Sequence, residues 1–358
     1  MELNLDSEVL NAYGFNNEDL DIIQIGTGLI NRTYLLSQGI SKKKYILQNI
    51  NTLVFKNPQA IADNLRLIAD YLLTAYPDYL FIKPIPILNG EEMFFFQNEY
   101  WRMLPYVQET VSLDVLTEPQ QAYEAAKQFG KLSRLLDQFD ASKLEPTIEG
   151  FHDLGLRYEQ FQTALNTSSE SLKQQAQNEI DDAITHRYIL DYFQSYILRS
   201  DFPDRVMHHD TKISNVLLNA QTNEGICVID LDTIMPGKFI SDLGDMMRTY
   251  LCAFSENETD LNKIKIRLPY FEATIEGYLS EMKHILTPTE KELILFSGKY
   301  IIYMQALRFL TDFLNGDKYY PTTYLIQNLD RAKNQFRLLS DLTSREKELQ
   351  DIIEMHLD

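Results

Sequence analysis

The stretch VMHHDTKISNVLLN, residues 206–219, decides how this chain is read. Two histidines, an aspartate, a lysine and an asparagine crowd into residues 208–215, and aliphatics come immediately after. Polar groups this dense beside Val216, Leu217 and Leu218 predict a loop that leaves one strand and enters the next. A second strand, GICVIDLDT over 225–233, lies beyond the turn-rich AQTNEG, so NVLLN and GICVIDLDT form a predicted strand pair.

Upstream, the first hundred residues read mostly as strands. DIIQIGTGLINRTYLLSQG (21–39) alternates apolar and polar residues around a Gly-Thr-Gly break, which predicts a hairpin. KKKYILQNI (42–50) is a third strand. From Pro58, the residues Ile61, Leu65, Ile68 and Leu72 share one helical face. FIKPIPILNG (81–90) and EEMFFFQNEYWRMLPYV (91–107) are predicted strands joined by an Asn-Gly turn. After Pro105 the period changes. Tyr123, Ala126, Phe129, Leu132, Leu136 and Phe139 mark an amphipathic helix. The polar NTSSESLKQQAQNE (166–179) leads into a helix ending near Pro203. Beyond the strand pair the chain is largely helical, and TSRE (343–346) has the form of a capping box that starts a last helix.

A chain of 358 residues, 44 % of them hydrophobic, can bury two lobes. Its 33 lysines and arginines face 52 acids, a net charge of −19. That balance repels nucleic acid and anionic lipid, so neither is an expected partner. Cys227 and Cys252 are too few for a disulfide framework or a zinc site. The N-terminal MELNLDSEVL lacks the basic start and apolar run of a signal peptide, and no apolar run is long enough to span a bilayer. A cytoplasmic protein is expected.

The opening stretch contains His208, Asp210, Lys212 and Asn215 in the pattern H-x-D-x-K-x-x-N. Four fixed positions match by chance in about one chain of this length in a few hundred. Protein kinases carry a catalytic loop of this form. The spacing lets the aspartate reach a substrate hydroxyl while the asparagine turns back toward a magnesium ion. The lysine leans on the phosphoryl group in transfer. Asp230, at the end of an apolar strand, is placed to supply the second metal ligand. Strand alternation is expected to point Asp232 to the same side, toward the metal or the acceptor.

HHDTKISNVLL (208–218), VIDLDTIMPG (228–237) and DLGDMMRT (242–249) resemble the aminoglycoside phosphotransferase and choline kinase superfamily. Within it they are most similar to the N-acetylhexosamine 1-kinase group. The likeness extends through IGTGLINRTYLL (25–36), YILQNINTLVFKNPQAIADNL (45–65), ALRFLTDFLNGDKYY (306–320) and NLDRAKNQFRLL (328–339). It implies an α+β, bilobal protein-kinase-like fold. The nucleotide-binding, β-rich N-lobe would span 1–105. The larger, mainly helical C-lobe would span 106–358 and carry the catalytic loop, metal and acceptor sites.

The implied reaction is ATP- and magnesium-dependent phosphorylation of the anomeric hydroxyl of an N-acetylated hexosamine. Asp210 is the implied base and Lys212 its catalytic companion, with Asn215 and Asp230 on magnesium. Arg308 and Asp232 are the implied acceptor contacts, and His208 and Asp242 brace the loop. Gly26, Thr27, Gly28, Leu29, Gln48, Pro105 and Val107 are the expected nucleotide contacts. An aminoglycoside, choline or amino-alcohol kinase is the nearest alternative, and an inactive nucleotide-binding relative the next. One departure stands out. Protein kinases place a lysine on the third strand, where this chain has Gln48. Arg32, Lys44, Lys56 and Arg66 are the candidates to replace its charge.

Overall fold

The computed structural model describes residues 5–16, 20–25, 31–39 and 42–358. Strands β1 (Leu20–Ile25), β2 (Arg32–Gln38), β3 (Lys44–Ile50), β4 (Phe94–Phe96) and β5 (Glu99–Pro105) form one antiparallel sheet, ordered β1-β2-β3-β5-β4. The strands of the expected first hairpin pair from Leu20 opposite Gln38 to Ile25 opposite Thr33. Its turn, residues 26–30, lies outside the described residues.

Strand alternation gives this sheet two unlike faces. Tyr34, Leu36, Leu47, Trp101 and Met103 point one way and pack with Val9 and Leu10 of α1 (Ser7–Ala12). Thr33, Gln48 and Arg102 sit in register across β2, β3 and β5 on the other face. Helix α2 (Pro58–Ala75) starts with proline, whose missing N–H costs a first turn nothing. Its row Ile61, Leu65, Ile68 and Leu72 is buried, as the period requires.

Two expectations fail in this lobe. Residues 81–90 do not form a strand; one bridge, Ile85 to Met103, is all the pairing they make. Pro84 and Pro86 remove N–H donors that a ladder needs. Residues 91–107 are not one strand either. The chain folds back at Gln97 and Asn98, both left-handed (φ 49° and 64°), which makes the tight turn between β4 and β5.

From β6 (Thr110–Val111) onward helices dominate: α3 (Pro119–Leu135), α4 (Leu154–Thr167), α5 (Glu170–Gln175), α6 (Gln177–Thr185) and α7 (Tyr188–Tyr196). Four short strands come next: β7 (Arg205–Met207), β8 (Val216–Asn219), β9 (Gly225–Val228) and β10 (Met235–Gly237). The chain finishes with α8 (Ile240–Tyr250), α9 (Leu268–Met282), α10 (Pro288–Glu292), α11 (Ile294–Leu314), α12 (Gln327–Ser344) and α13 (Glu346–Leu357). A small antiparallel-sheet lobe thus joins a larger helical one, the kinase-like α+β architecture the sequence implies. Helix α11 is the buried axis of the helical lobe, with α4, α8 and α12 packed on it. The TSRE capping box does not form, because Thr343 still belongs to α12 and the cap position of α13 falls on Arg345. No described helix is long and apolar enough to cross a membrane.

The lobes are tied together by side chains. Asn64 on α2 donates to the carbonyls of Glu145 (2.8 Å) and Ile234 (3.0 Å) and accepts the Glu145 N–H (2.9 Å). This fixes α2 beside the segment between β9 and β10.

Candidate active site

The loop from His208 to Asn215 runs between β7 and β8, where the sequence puts it. It is held from below by α8. Asp242 accepts the N–H groups of His208 (2.9 Å) and His209 (2.7 Å), and Asp245 accepts that of Thr211 (2.8 Å). Asp242 is thus the brace the resemblance implies, and Asp245 adds a second. Burial pushes the Asp242 carboxyl up to about 6, against the pull of His208 and the two N–H donors. His208 adds a strut: its Nε2 donates to the Ile229 carbonyl at 2.9 Å, and its ring meets Phe129 edge-on.

Asp210 projects from this frame. Its Oδ2 accepts from Lys212 Nζ (2.9 Å) and from Asn215 Nδ2 (2.9 Å), while the same amide also donates to the Asp210 carbonyl (2.8 Å). Burial raises the Asp210 carboxyl, but the Lys212 ammonium, His208 and the Asn215 amide outweigh it and hold it below the usual carboxylate range. It is therefore ionised at neutral pH. The Ile229 N–H donates to the Asn215 carbonyl at 2.8 Å, which brings Asp230 up beside the loop. Asp230 adopts the left-handed conformation (φ 59°, ψ 53°), which aspartate tolerates better than most side chains. Burial, then the charge of Asp232, pushes its carboxyl up to about 6 despite Lys212.

Asp232 departs from the expectation. Strand β9 ends at Val228, and residues 231–233 form a 3-10 turn, so alternation does not govern where Asp232 points. Its carboxylate turns into the lobe interface. Oδ1 pairs with Arg102 Nη1 (2.5 Å), and Oδ2 accepts from Asn31 Nδ2 (2.7 Å). Arg102 also donates from Nε (3.0 Å) and Nη2 (2.7 Å) to Gln48 Oε1. The four cations proposed to replace the third-strand lysine are elsewhere. Arg32 is engaged by Glu99 and Asn49, Arg66 pairs with Asp63, Lys44 lies over the Tyr106 ring and Lys56 is exposed.

Arg308 on α11 lies over the rings of Phe151 (5.4 Å) and Tyr320 (5.6 Å) and donates to Gln305. Phe151 stacks on His152 and meets His209 edge-on, so this aromatic wall adjoins Asp210. Tyr320 is set by Asp312, whose carboxylate accepts the N–H groups of Lys318, Tyr319 and Tyr320 at 2.8–3.0 Å. Sequence reading missed Arg102, Asn31, Phe151 and Asp312. An arginine inside the apolar strand YWRMLPY was a usable signal, because a buried cation needs a partner; the others carry none.

His152 and His209 share Ser241 Oγ, and burial, ahead of other causes, drives His209 down to about 4 and His152 well below its ordinary value. A depressed histidine favours the fold while neutral, and that stability is lost as pH falls from about 6.5 through 4. His209 is also left-handed (φ 66°), which asparagine adopts readily. His209→Asn should therefore gain on the unaltered protein as pH falls across that window, by about 3 kcal/mol. Denaturant midpoints at pH 7 and pH 4.5 check this; a constant difference between the two proteins would contradict it.

Pro105 closes β5 opposite Tyr45, and the Val107 carbonyl accepts from Thr110 Oγ1 (2.9 Å). Gly26, Thr27, Gly28 and Leu29 lie outside the described residues. The donor set suits a hard cation. Asn215 Oδ1 and the Asp230 carboxylate accept no hydrogen bond among the described residues, and the buried Asp232 Oδ1 has only its ion pair with Arg102. Among these residues no group of three or more carboxylates, histidines or thiols could hold an ion unaided. Magnesium does not require one, since it relies on one or two carboxylates together with substrate phosphates and water.

The fold and this loop geometry define a kinase-like phosphotransferase acting on small molecules. A family model described as the phosphotransferase enzyme family matches residues 21–270, and the chain belongs to that family. Solved structures share the fold over nearly the whole chain. A microcompartment-associated aminopropanol kinase is 14 % identical, covering 96 % of this chain and 97 % of its own, with a TM-score of 0.61. Spectinomycin phosphotransferase, solved with ADP and spectinomycin, is 15 % identical over 95 % and 97 %, with a TM-score of 0.62. A choline kinase from Cryptosporidium parvum is 17 % identical over 94 % and 92 %, with a TM-score of 0.53.

Proposed function

We propose that this enzyme transfers the γ-phosphoryl group of ATP to the anomeric hydroxyl of an N-acetylated hexosamine. One observation carries the choice of acceptor. Arg308, beside the catalytic loop, has no carboxylate partner among the described residues; it faces aromatic rings and an amide. Arg157 nearby likewise donates only to the Gly150 and Phe151 carbonyls and to Gln160. Two guanidiniums that hydrogen-bond no carboxylate among the described residues disfavour a cationic amine acceptor such as choline or an aminoglycoside. They suit a neutral ligand rich in oxygen acceptors, with a flat aromatic wall for a sugar face.

The steps divide among the chain's own residues. Residues 1–105 hold the nucleotide, and 106–358 hold the acceptor. Asp210 accepts a hydrogen bond from the acceptor hydroxyl, aims its oxygen at the γ-phosphorus and takes its proton as the new P–O bond forms and the bond from phosphorus to the β,γ-bridging oxygen breaks, releasing ADP. An anomeric hydroxyl is more acidic than an ordinary alcohol, so an ionised carboxylate is base enough. Lys212 keeps Asp210 charged and faces the charge that builds on the transferring group. Asn215 and Asp230 would hold magnesium, which offsets the charge of the phosphates when bound. His208, Asp242 and Asp245 keep the loop rigid.

A panel of N-acetylglucosamine, N-acetylgalactosamine, choline and kanamycin tests the reading. Product is expected from an N-acetylhexosamine, with phosphorus coupled to the anomeric proton in NMR. Arg308→Leu should raise KM for the sugar about tenfold or more, with ATP affinity unchanged. Turnover of choline or kanamycin alone would overturn the acceptor assignment.

A further inference from the structure

We infer that Arg102 is the nucleotide-phosphate anchor of this enzyme, a cation moved from the third strand to the neighbouring one. The inference rests on the proposed use of ATP. In protein kinases a third-strand lysine holds the phosphates and is paired with a glutamate on the next helix. This chain lacks both partners. Gln48 occupies the strand position, and the inward face of α2 presents Ile61, Asn64, Leu65 and Ile68, with no acid among them. Asp63 and Asp70 lie on its other side, and Asp63 is paired with Arg66.

Arg102 restores the missing charge at nearly the same place. It stands directly opposite Gln48 in the β3–β5 register, so its side chain leaves the same face of the sheet. Gln48 receives two of its five N–H donors and steers the guanidinium inward. Its Nη1 forms an ion pair with Asp232, two residues from Asp230. Among the described residues its other three N–H groups make no hydrogen bond, and paired guanidinium N–H groups grip a phosphate well. Asn31, just beyond the Gly26–Gly28 stretch in sequence, touches the same carboxylate. The counter-ion has thus moved as well, from the helix of the small lobe to Asp232 in the large one.

The arginine's side chain is 2 % exposed, so a phosphate oxygen reaches it by displacing Asp232 from Nη1 or as the lobes part. A displaced Asp232 keeps the Asn31 amide on its Oδ2. The alternative is a purely structural ion pair.

Calorimetric titration separates the two. Arg102→Met, and Arg102→Met combined with Asp232→Asn to avoid a lone buried carboxylate, are titrated with ADP and with adenosine, in EDTA. We expect ADP affinity to fall about tenfold or more in both, with adenosine affinity unchanged and Arg102→Lys partly restored. Working without metal removes any effect routed through the metal ligands. Unchanged ADP affinity, equal loss of ADP and adenosine binding, or no ADP binding by the unaltered protein in EDTA would each overturn the assignment. Failure of the unaltered protein to bind magnesium ATP at all would instead overturn the proposed use of ATP.

Discussion

Asp210→Asn is expected to lower kcat about a thousandfold while ATP affinity stays within about twofold of the unaltered enzyme. The change preserves size. It removes the negative charge that Lys212 and Asn215 both address through Oδ2, and it places an amide where two donors already point. The acceptor hydroxyl then loses both its orienting acceptor and the sink for its proton. The nucleotide's own contacts lie on other residues, so binding and turnover should separate. Steady-state rates with calorimetric ATP titration measure the two independently. A variant retaining more than a tenth of the original kcat would remove Asp210 from the chemistry.

Gly244→Ala should be a severely damaging small change away from the loop. A Cβ there would sit 2.2 Å from the Ser297 carbonyl oxygen and 2.6 Å from an Ile301 side-chain carbon, both on α11. Backbone cannot swing aside as a flexible side chain does, so α8 must back away from the axis of its lobe. Overpacking of this kind costs about 3 kcal/mol. The damage should not stop at stability. Gly244 lies between Asp242 and Asp245, which together hold three N–H groups of the catalytic loop. We therefore expect a lowered denaturant midpoint and a kcat reduced about tenfold or more even where the protein remains folded. An unchanged midpoint would show that the two helices can separate without penalty.

DLGDMMRT illustrates how far sequence alone reaches. Asp242 was visible as a brace, yet the part of Asp245 and the reason for the glycine between them required knowing where α8 lies and that α11 passes within contact distance. The catalytic loop was legible because its working groups are contiguous: Asp210, Lys212 and Asn215 meet through local geometry that spacing encodes. Arg102 was illegible for the opposite reason. Its role depends on a cross-strand register with Gln48, 54 residues away, and on an aspartate 130 residues further on (48 to 102; 102 to 232). Asp232 itself was misplaced because an apolar run ending in aspartates looks like continuing strand; the left-handed turn at Asp230 ends it. The acceptor wall draws Phe151 from a loop before α4, Arg308 from α11 and Tyr320 from the segment between α11 and α12, and no periodicity links the three.

The contact between Arg102 and Asp232 has a mechanical consequence. It joins the sheet lobe to the helical one, and both ions are nearly dry, at 2 % and 3 % exposure. Drawn partly asunder, the ions would be neither joined nor hydrated, the least favourable arrangement for a charge. Any parting of the lobes at this contact would therefore cross a barrier, like a catch that must be sprung.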